Sequence, residues 1–164
     1  MIDKPKDDTS ELRGLGSAST NYFYRGADFK LLETFPNAFA DKRKSYSVEL
    51  VFPEFTSLCP KTGQPDFATI TIRYRPRKEC VESKSLKLYL FSYRNEGAFM
   101  ETITNTIWWH LMELLCPEHL SVTAAFRPRG GIALVVSVTG HTYRNKEGFY
   151  VPQLEEDDEE EEEF

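Results

Sequence analysis

The chain has 164 residues, 40% of them hydrophobic and 13% aromatic, which suits one domain with a substantial core. No apolar run approaches the roughly 20 residues of a membrane helix, and the start Met1-Ile2-Asp3-Lys4-Pro5-Lys6 lacks the apolar stretch of a secretory leader. Three cysteines without regular spacing argue against a disulfide framework and fit a reducing cytoplasm, the expected location. The formal net charge of −6 is a property of one end: Glu155 to Glu163 is an unbroken run of nine acidic residues. Without it, 20 basic residues face 17 acidic ones, so the rest of the chain is slightly positive, at +3.

In chain order, the first dozen residues are polar and expected to be mobile. Tyr46 to Phe52 alternates as a strand, with Tyr46, Val48, Leu50 and Phe52 on one side. The next stretch, Glu54 to Asp66, reads as a loop broken by two prolines and a glycine, and sets Cys59 seven residues before Asp66. A loop cysteine can be solvent-accessible and held as a thiolate, and a nearby carboxylate can give or take a proton, the equipment for nucleophilic catalysis with acid assistance. Phe67 to Tyr74 alternates again, with Ala68, Ile70, Ile72 and Tyr74 opposite Thr69, Thr71 and Arg73.

In Val81-Glu82-Ser83-Lys84-Ser85-Leu86-Lys87-Leu88-Tyr89, two lysines at helical spacing can face one polyanion, and Ser83 can cap a helix whose N–H groups suit phosphate; a solvated charged face is the plainer reading. Leu86 to Tyr93 fits either a strand or a helix. Gly97 to Cys116 is helical, with Phe99, Ile103, Ile107, Leu111 and Leu114 recurring every three or four residues and Pro117 ending the run. Strands follow at Ser121 to Phe126 and Ile132 to Val138, joined by the hairpin Arg127-Pro128-Arg129-Gly130-Gly131. The basic turn at Arg129 lets backbone approach a ligand closely. The order of elements predicts an α+β domain: an antiparallel sheet with helices on one face.

Several chemistries are excluded by pattern. Neither a G-x-G-x-x-G fingerprint nor a P-loop occurs, and no G-x-S-x-G elbow marks a serine hydrolase. Cys59, Cys80 and Cys116 are not in paired spacings and His110, His119 and His141 complete no ligand set, so no metal is expected. His110, among Trp108, Trp109 and Leu111, reads as a packed or surface histidine, Cys116 as structural, and Cys80 as partly exposed. Basic and aromatic residues form no long interleaved stripe, so no direct nucleic-acid partner is expected.

The loop Glu54 to Asp66, the run Glu82-Ser83-Lys84-Ser85-Leu86-Lys87-Leu88-Tyr89, and the flanking Thr20-Asn21-Tyr22, Phe35-Pro36-Asn37 and Pro128-Arg129-Gly130-Gly131-Ile132 together resemble one family. It is the short, single-domain form of the 7-cyano-7-deazaguanine reductases, the QueF-type nitrile reductases of queuosine biosynthesis and tRNA modification. The resemblance implies a tunnelling fold, ββααββ, over residues 20–150; polarity makes 1–19 a mobile segment, and the like charges of the acidic end make 151–164 a disordered tail. It also implies a homo-oligomeric barrel with active sites between subunits.

The same resemblance implies that Cys59 attacks the nitrile carbon to form a thioimide, that Asp66 protonates the nitrogen, and that two NADPH molecules supply hydride. Val81, Glu82, Ser83 and Glu101 match substrate positions; Ser83, Lys84, Lys87, Arg129 and Gly130 match the NADPH region. Where the family reads F-H-E, this chain has Phe99-Met100-Glu101. Met100 can pack on a flat base but cannot donate a hydrogen bond. Either Asp66 and water suffice, or the reaction has changed. A related archaeosine-type amidinotransferase, acting through the same thioimide, and a catalytically weakened binding or scaffold protein are the alternatives.

Overall fold

The computed structural model describes residues 26–40 and 46–155; the N-terminal segment 1–19, the Thr20-Asn21-Tyr22 match and the acidic run beyond residue 155 lie outside them. Strands β2 (Val48–Leu58), β3 (Pro65–Arg75), β5 (His119–Arg129), β6 (Ile132–Arg144) and β7 (Tyr150–Leu154) form an antiparallel sheet in that spatial order. Two short strands, β1 (Thr34–Pro36) and β4 (Glu79–Val81), make a separate ribbon. Helices α1 (Ser83–Ser92) and α2 (Met100–Leu115) complete the expected ββααββ core.

The core lies where the periodicities place it. Ala68, Ile70, Ile72 and Tyr74 of β3 are buried beside Leu120, Val122 and Ala124 of β5, against Ile103, Ile107, Leu111 and Leu115 of α2. Full burial of each aliphatic side chain contributes about 1.5–3 kcal/mol. Trp108 Nε1 donates to the Leu120 carbonyl at 3.1 Å, fixing α2 on β5. The ambiguous run from Leu86 is helical, because α1 buries Leu86, Tyr89 and Leu90 at three- and four-residue spacing. Cys116, with φ of 41°, closes α2 in a left-handed conformation before Pro117.

Three expectations need correction. The stretch Glu54 to Asp66 is mostly strand: β2 runs to Leu58 and β3 begins at Pro65, which leaves only residues 59–64 as turn. A register shift between Phe52 and Phe55 marks a bulge at Pro53, on an edge strand that tolerates a missing N–H. The bulge inverts the alternation, so Phe55 and Ser57 turn inward after the partly buried Val48, Leu50 and Phe52. Phe99, assigned to the buried helix face, is 59% exposed because it stands outside α2 as its N-cap. Finally, the tail does not begin at 151: β7 pairs with β6 from Tyr150 to Leu154. Gly140 permits that pairing, since a Cβ there would collide with the Gln153 carbonyl and the Trp108 ring.

Candidate active site

Leu58 and Pro65 pair at the end of the β2–β3 hairpin, and the turn between them is tied by its own backbone. Cys59 N donates to Gln64 O and Gly63 N donates to Cys59 O, both at 2.9 Å. The base of the turn is fastened to the connection between the helices: Leu58 N donates to Glu96 O at 2.9 Å and Ala98 N to Leu58 O at 3.2 Å. Gly97 thereby abuts Pro60, and the start of α2, with Met100 and Glu101, follows within a few residues.

Cys59 is partly exposed, and its thiol is held below the ordinary range, at about 7. The Thr62 hydroxyl is the largest cause, followed by the backbone N–H groups of Lys61 and Thr62; Arg129 adds a smaller contribution in the same direction. The lowered pKa makes the nucleophilic thiolate more available near neutral pH than in an ordinary cysteine. Thr62 Oγ1 also accepts from Gln64 N at 3.3 Å, which orients the hydroxyl within the turn.

Asp66 sits on β3, not in a loop, with its side chain only 2% exposed. Arg129 Nη1 lies 2.7 Å from its Oδ1 as an ion pair without the alignment of a hydrogen bond, while Nη2 donates to Gln64 Oε1 at 2.8 Å. Arg129 can reach across because β5 pairs with β3 and carries its last residue to the same end of the sheet. Ser57, which sequence reasoning did not single out, stands opposite Asp66 on β2, fully buried with its hydroxyl unpartnered. An unsatisfied buried hydroxyl costs about 1–3 kcal/mol. A serine two residues before a candidate nucleophile, on a strand, was the available signal; the bulge hid its inward direction.

The remaining candidates fall elsewhere. Val81, buried at 5%, ends β4, and Glu82 begins the approach to α1. Glu82, rather than Ser83, caps the helix: its carboxylate accepts from Lys84 N at 2.8 Å and Ser85 N at 2.6 Å. Those two donors in turn pull the Glu82 carboxyl below its ordinary range. The helix N-terminus is thus occupied by a carboxylate and is not the phosphate cradle the sequence suggested. Ser83, Lys84 and Lys87 are exposed.

Helix α1 leads from Glu82 to Tyr93, beside Glu96 and the Cys59 turn, so its ten residues separate the two groups by about 15 Å. Cys59, Asp66, Gln64 and Arg129 come together at one end, with Met100 and Glu101 next in the chain; Val81, Glu82, Ser83 and Lys84 lie at the other.

A cavity of about 560 Å³ opens beside the β2 bulge and α1, lined by Lys87, Arg94, Arg127, Glu54, Phe67 and Phe91 among others. The Arg94 and Arg127 guanidinium groups stand over the Phe91 and Phe67 rings, at 5.4 and 5.7 Å. Cys80 is buried, contrary to expectation, with Tyr46 Oη 3.5 Å from its sulfur. His110 does pack: its Nδ1 is 2.7 Å from Tyr89 Oη, which meets Tyr93 Oη at 2.8 Å. Burial, the larger effect, lowers the His110 pKa; burial also raises that of Tyr93, to about 12.

Comparison with known proteins adds independent findings. The family model described as "QueF-like protein" matches residues 65–145. The NADPH-dependent 7-cyano-7-deazaguanine reductase of Streptococcus mutans is 52% identical over 129 residues, covering 79% of this chain and 78% of its own. That of Chlorobium phaeobacteroides is 56% identical over 110 residues, 67% of this chain and 92% of its own. The Bacillus subtilis reductase is 53% identical over 128 residues, 76% of each. Among solved structures, the archaeosine synthase QueF-Like in the apo form superposes with a TM-score of 0.55 at 20% identity, over 59% of this chain and 95% of that one. At that identity the likeness concerns fold alone.

Proposed function

Because the chain belongs to the family of NADPH-dependent 7-cyano-7-deazaguanine reductases, we propose that it reduces the nitrile of 7-cyano-7-deazaguanine to the aminomethyl group, with Cys59 as nucleophile and Asp66 as proton donor. The observation that carries this assignment is a partly exposed thiol, held below its ordinary pKa by the Thr62 hydroxyl and turn N–H groups, in a turn whose closing strand presents a buried carboxylate.

Cys59 Sγ bonds to the nitrile carbon, one π bond of C≡N breaks, and its electron pair takes a proton at nitrogen, giving a thioimide. Asp66 delivers that proton, replenished by the one the thiol loses. NADPH, when bound, supplies two hydrides from two successive molecules, each matched by one proton. Cys59 leaves as thiolate after the first reduction, and a second reduction completes the amine.

The residues fit an anionic dinucleotide. Lys87, Arg94 and Arg127 surround one cavity with a single carboxylate, Glu54, among its charged lining residues, and none of the three belongs to an ion pair among the described residues. Ser83, Lys84, Arg129 and Gly130 extend the proposed cofactor set. Val81, Glu82, Ser83, Met100 and Glu101 are the proposed substrate contacts, with Met100 packing on the flat base and Glu101 accepting from its guanine-like edge.

Their division between the two ends of α1 supports an active site completed by a second copy of the chain, so that Val81 to Ser83 of one subunit meets Cys59 of another. We place the reaction in the cytoplasm, on the small molecule before it enters tRNA, with no nucleic acid bound. No helix among the described residues is long and apolar enough to cross a membrane.

Intact mass after incubation with 7-cyano-7-deazaguanine, followed by NADPH absorbance, tests the assignment. A Cys59-dependent adduct with NADPH consumption is expected. An adduct without oxidation would favour amidinotransferase chemistry, and no adduct would refute both. Met100→His is expected to leave nitrile reduction at least as fast; a clear loss would mean that the pocket is built around methionine.

A further inference from the structure

The sequence resemblance gives Arg129 to the cofactor, but the structure turns it toward the nucleophile. Its two terminal nitrogens engage two different elements: Nη1 the Asp66 carboxylate on β3 at 2.7 Å, Nη2 the Gln64 side chain at the end of the turn at 2.8 Å. Gln64 is the residue on which that turn closes. Its carbonyl accepts from Cys59 N and its N–H donates to the Thr62 hydroxyl, so its backbone holds both the nucleophile and the group that favours its thiolate. The Arg129 side chain is only 30% exposed, at the tip of β5 before the Gly130-Gly131 turn.

We propose that Arg129 is a positioning residue for the chemical step: it braces the proton donor Asp66 against the Cys59 turn and sets their relative geometry before any cofactor contact. Only a planar, forked cation fits this role, since a lysine ammonium reaches one partner as a point charge but cannot hold two in fixed directions. The charged groups on the elements packed about the turn are Lys61 within it, Glu54 on β2, Asp66 on β3, Arg127 and Arg129 at the end of β5, Glu96 in the segment paired with Leu58, and Glu101 at the start of α2. Arg129 favours the Cys59 thiolate, and the Asp66 carboxylate, a like charge on the strand that closes the turn, is expected to oppose it.

This inference rests on the proposed reductase chemistry for its meaning, but its test does not require that reaction. The rate of Cys59 alkylation by iodoacetamide is measured against pH for the full chain and for Arg129→Ala, Arg129→Lys and Asp66→Asn, with Cys59→Ser subtracting labelling of Cys80 and Cys116.

Arg129→Ala should move the midpoint upward by about half a unit and Asp66→Asn downward by a similar amount. Unfolding of the turn would instead move both upward. Arg129→Lys should restore the midpoint but not the rate of adduct formation with 7-cyano-7-deazaguanine, which should stay about tenfold below that of the unaltered chain because orientation is lost. NADPH binding by fluorescence separates the roles. If Arg129→Ala weakens NADPH binding while the alkylation profile and adduct rate stay unchanged, Arg129 is a cofactor ligand only and the proposal fails. If the unaltered chain forms no adduct but the opposite midpoint shifts appear, the brace stands and the reductase assignment falls.

Discussion

The two ends of the five-stranded sheet handle charge differently. At the end where β2 meets β3, a carboxylate that is 2% exposed is paired with a partly buried arginine. At the opposite end, His119 and His141 each stand 3.6 Å from Glu155, and Arg75 lies 3.9 Å from Glu118, with every side chain about 40% exposed or more. Exposed pairs contribute about 0–1 kcal/mol. A buried charge is costly to strip of its partner, so it survives where geometry is needed for something besides stability. The proposed chemistry thus falls at the end that holds the one buried, shared ion pair among the described residues, and the exposed pairs fall at the other.

Substitutions should reproduce that contrast. Cys59→Ser is expected to abolish the mass adduct and to lower NADPH oxidation about 10³-fold or more, as loss of a nucleophile does. Asp66→Asn should lower turnover about 10²- to 10⁴-fold while Cys59 stays open to alkylation. If instead the protein unfolds, Asp66 is structural and the contrast between the two ends collapses.

Gly140→Ala tests the solvated end by packing rather than charge. It should destabilise the fold by about 1–3 kcal/mol, read from the urea midpoint, because the new Cβ meets backbone that cannot move aside. Glu155→Gln should change stability by less than about 0.5 kcal/mol.

The pH dependence carries its own sign. The Cys59 pKa is lower in the fold than in the unfolded chain, so its thiolate favours folding fully above the ordinary thiol range, and that contribution fades as pH falls through about 7. Alkylation should rise across the same window and level off above it.

Much of the fold is legible in the chain. Ala68, Ile70, Ile72 and Tyr74 alternate because a strand exposes alternate side chains to one face, and all four are buried. The α2 register from Ile103 to Leu111 follows equally from helical periodicity. The strands β1, β4 and β7 were missed, being three to five residues long and bordered by prolines or acids that carry no periodic signal. That Glu82 caps α1 is not legible in the chain, since nothing in a run of polar residues says which of them turns back on the backbone.

The sequence by itself determined the inventory: a thiol in a proline-bounded turn, a carboxylate seven residues on, and a lysine-bearing helical segment, each carried by local spacing. Tertiary structure alone decided the partnerships. The bulge at Pro53 turned Ser57 inward, strand pairing brought Arg129 across 63 residues of chain to Asp66, and α1 carried Glu82 away from Cys59. Those outcomes depend on register and element length summed over the whole sheet, which no local window of residues contains.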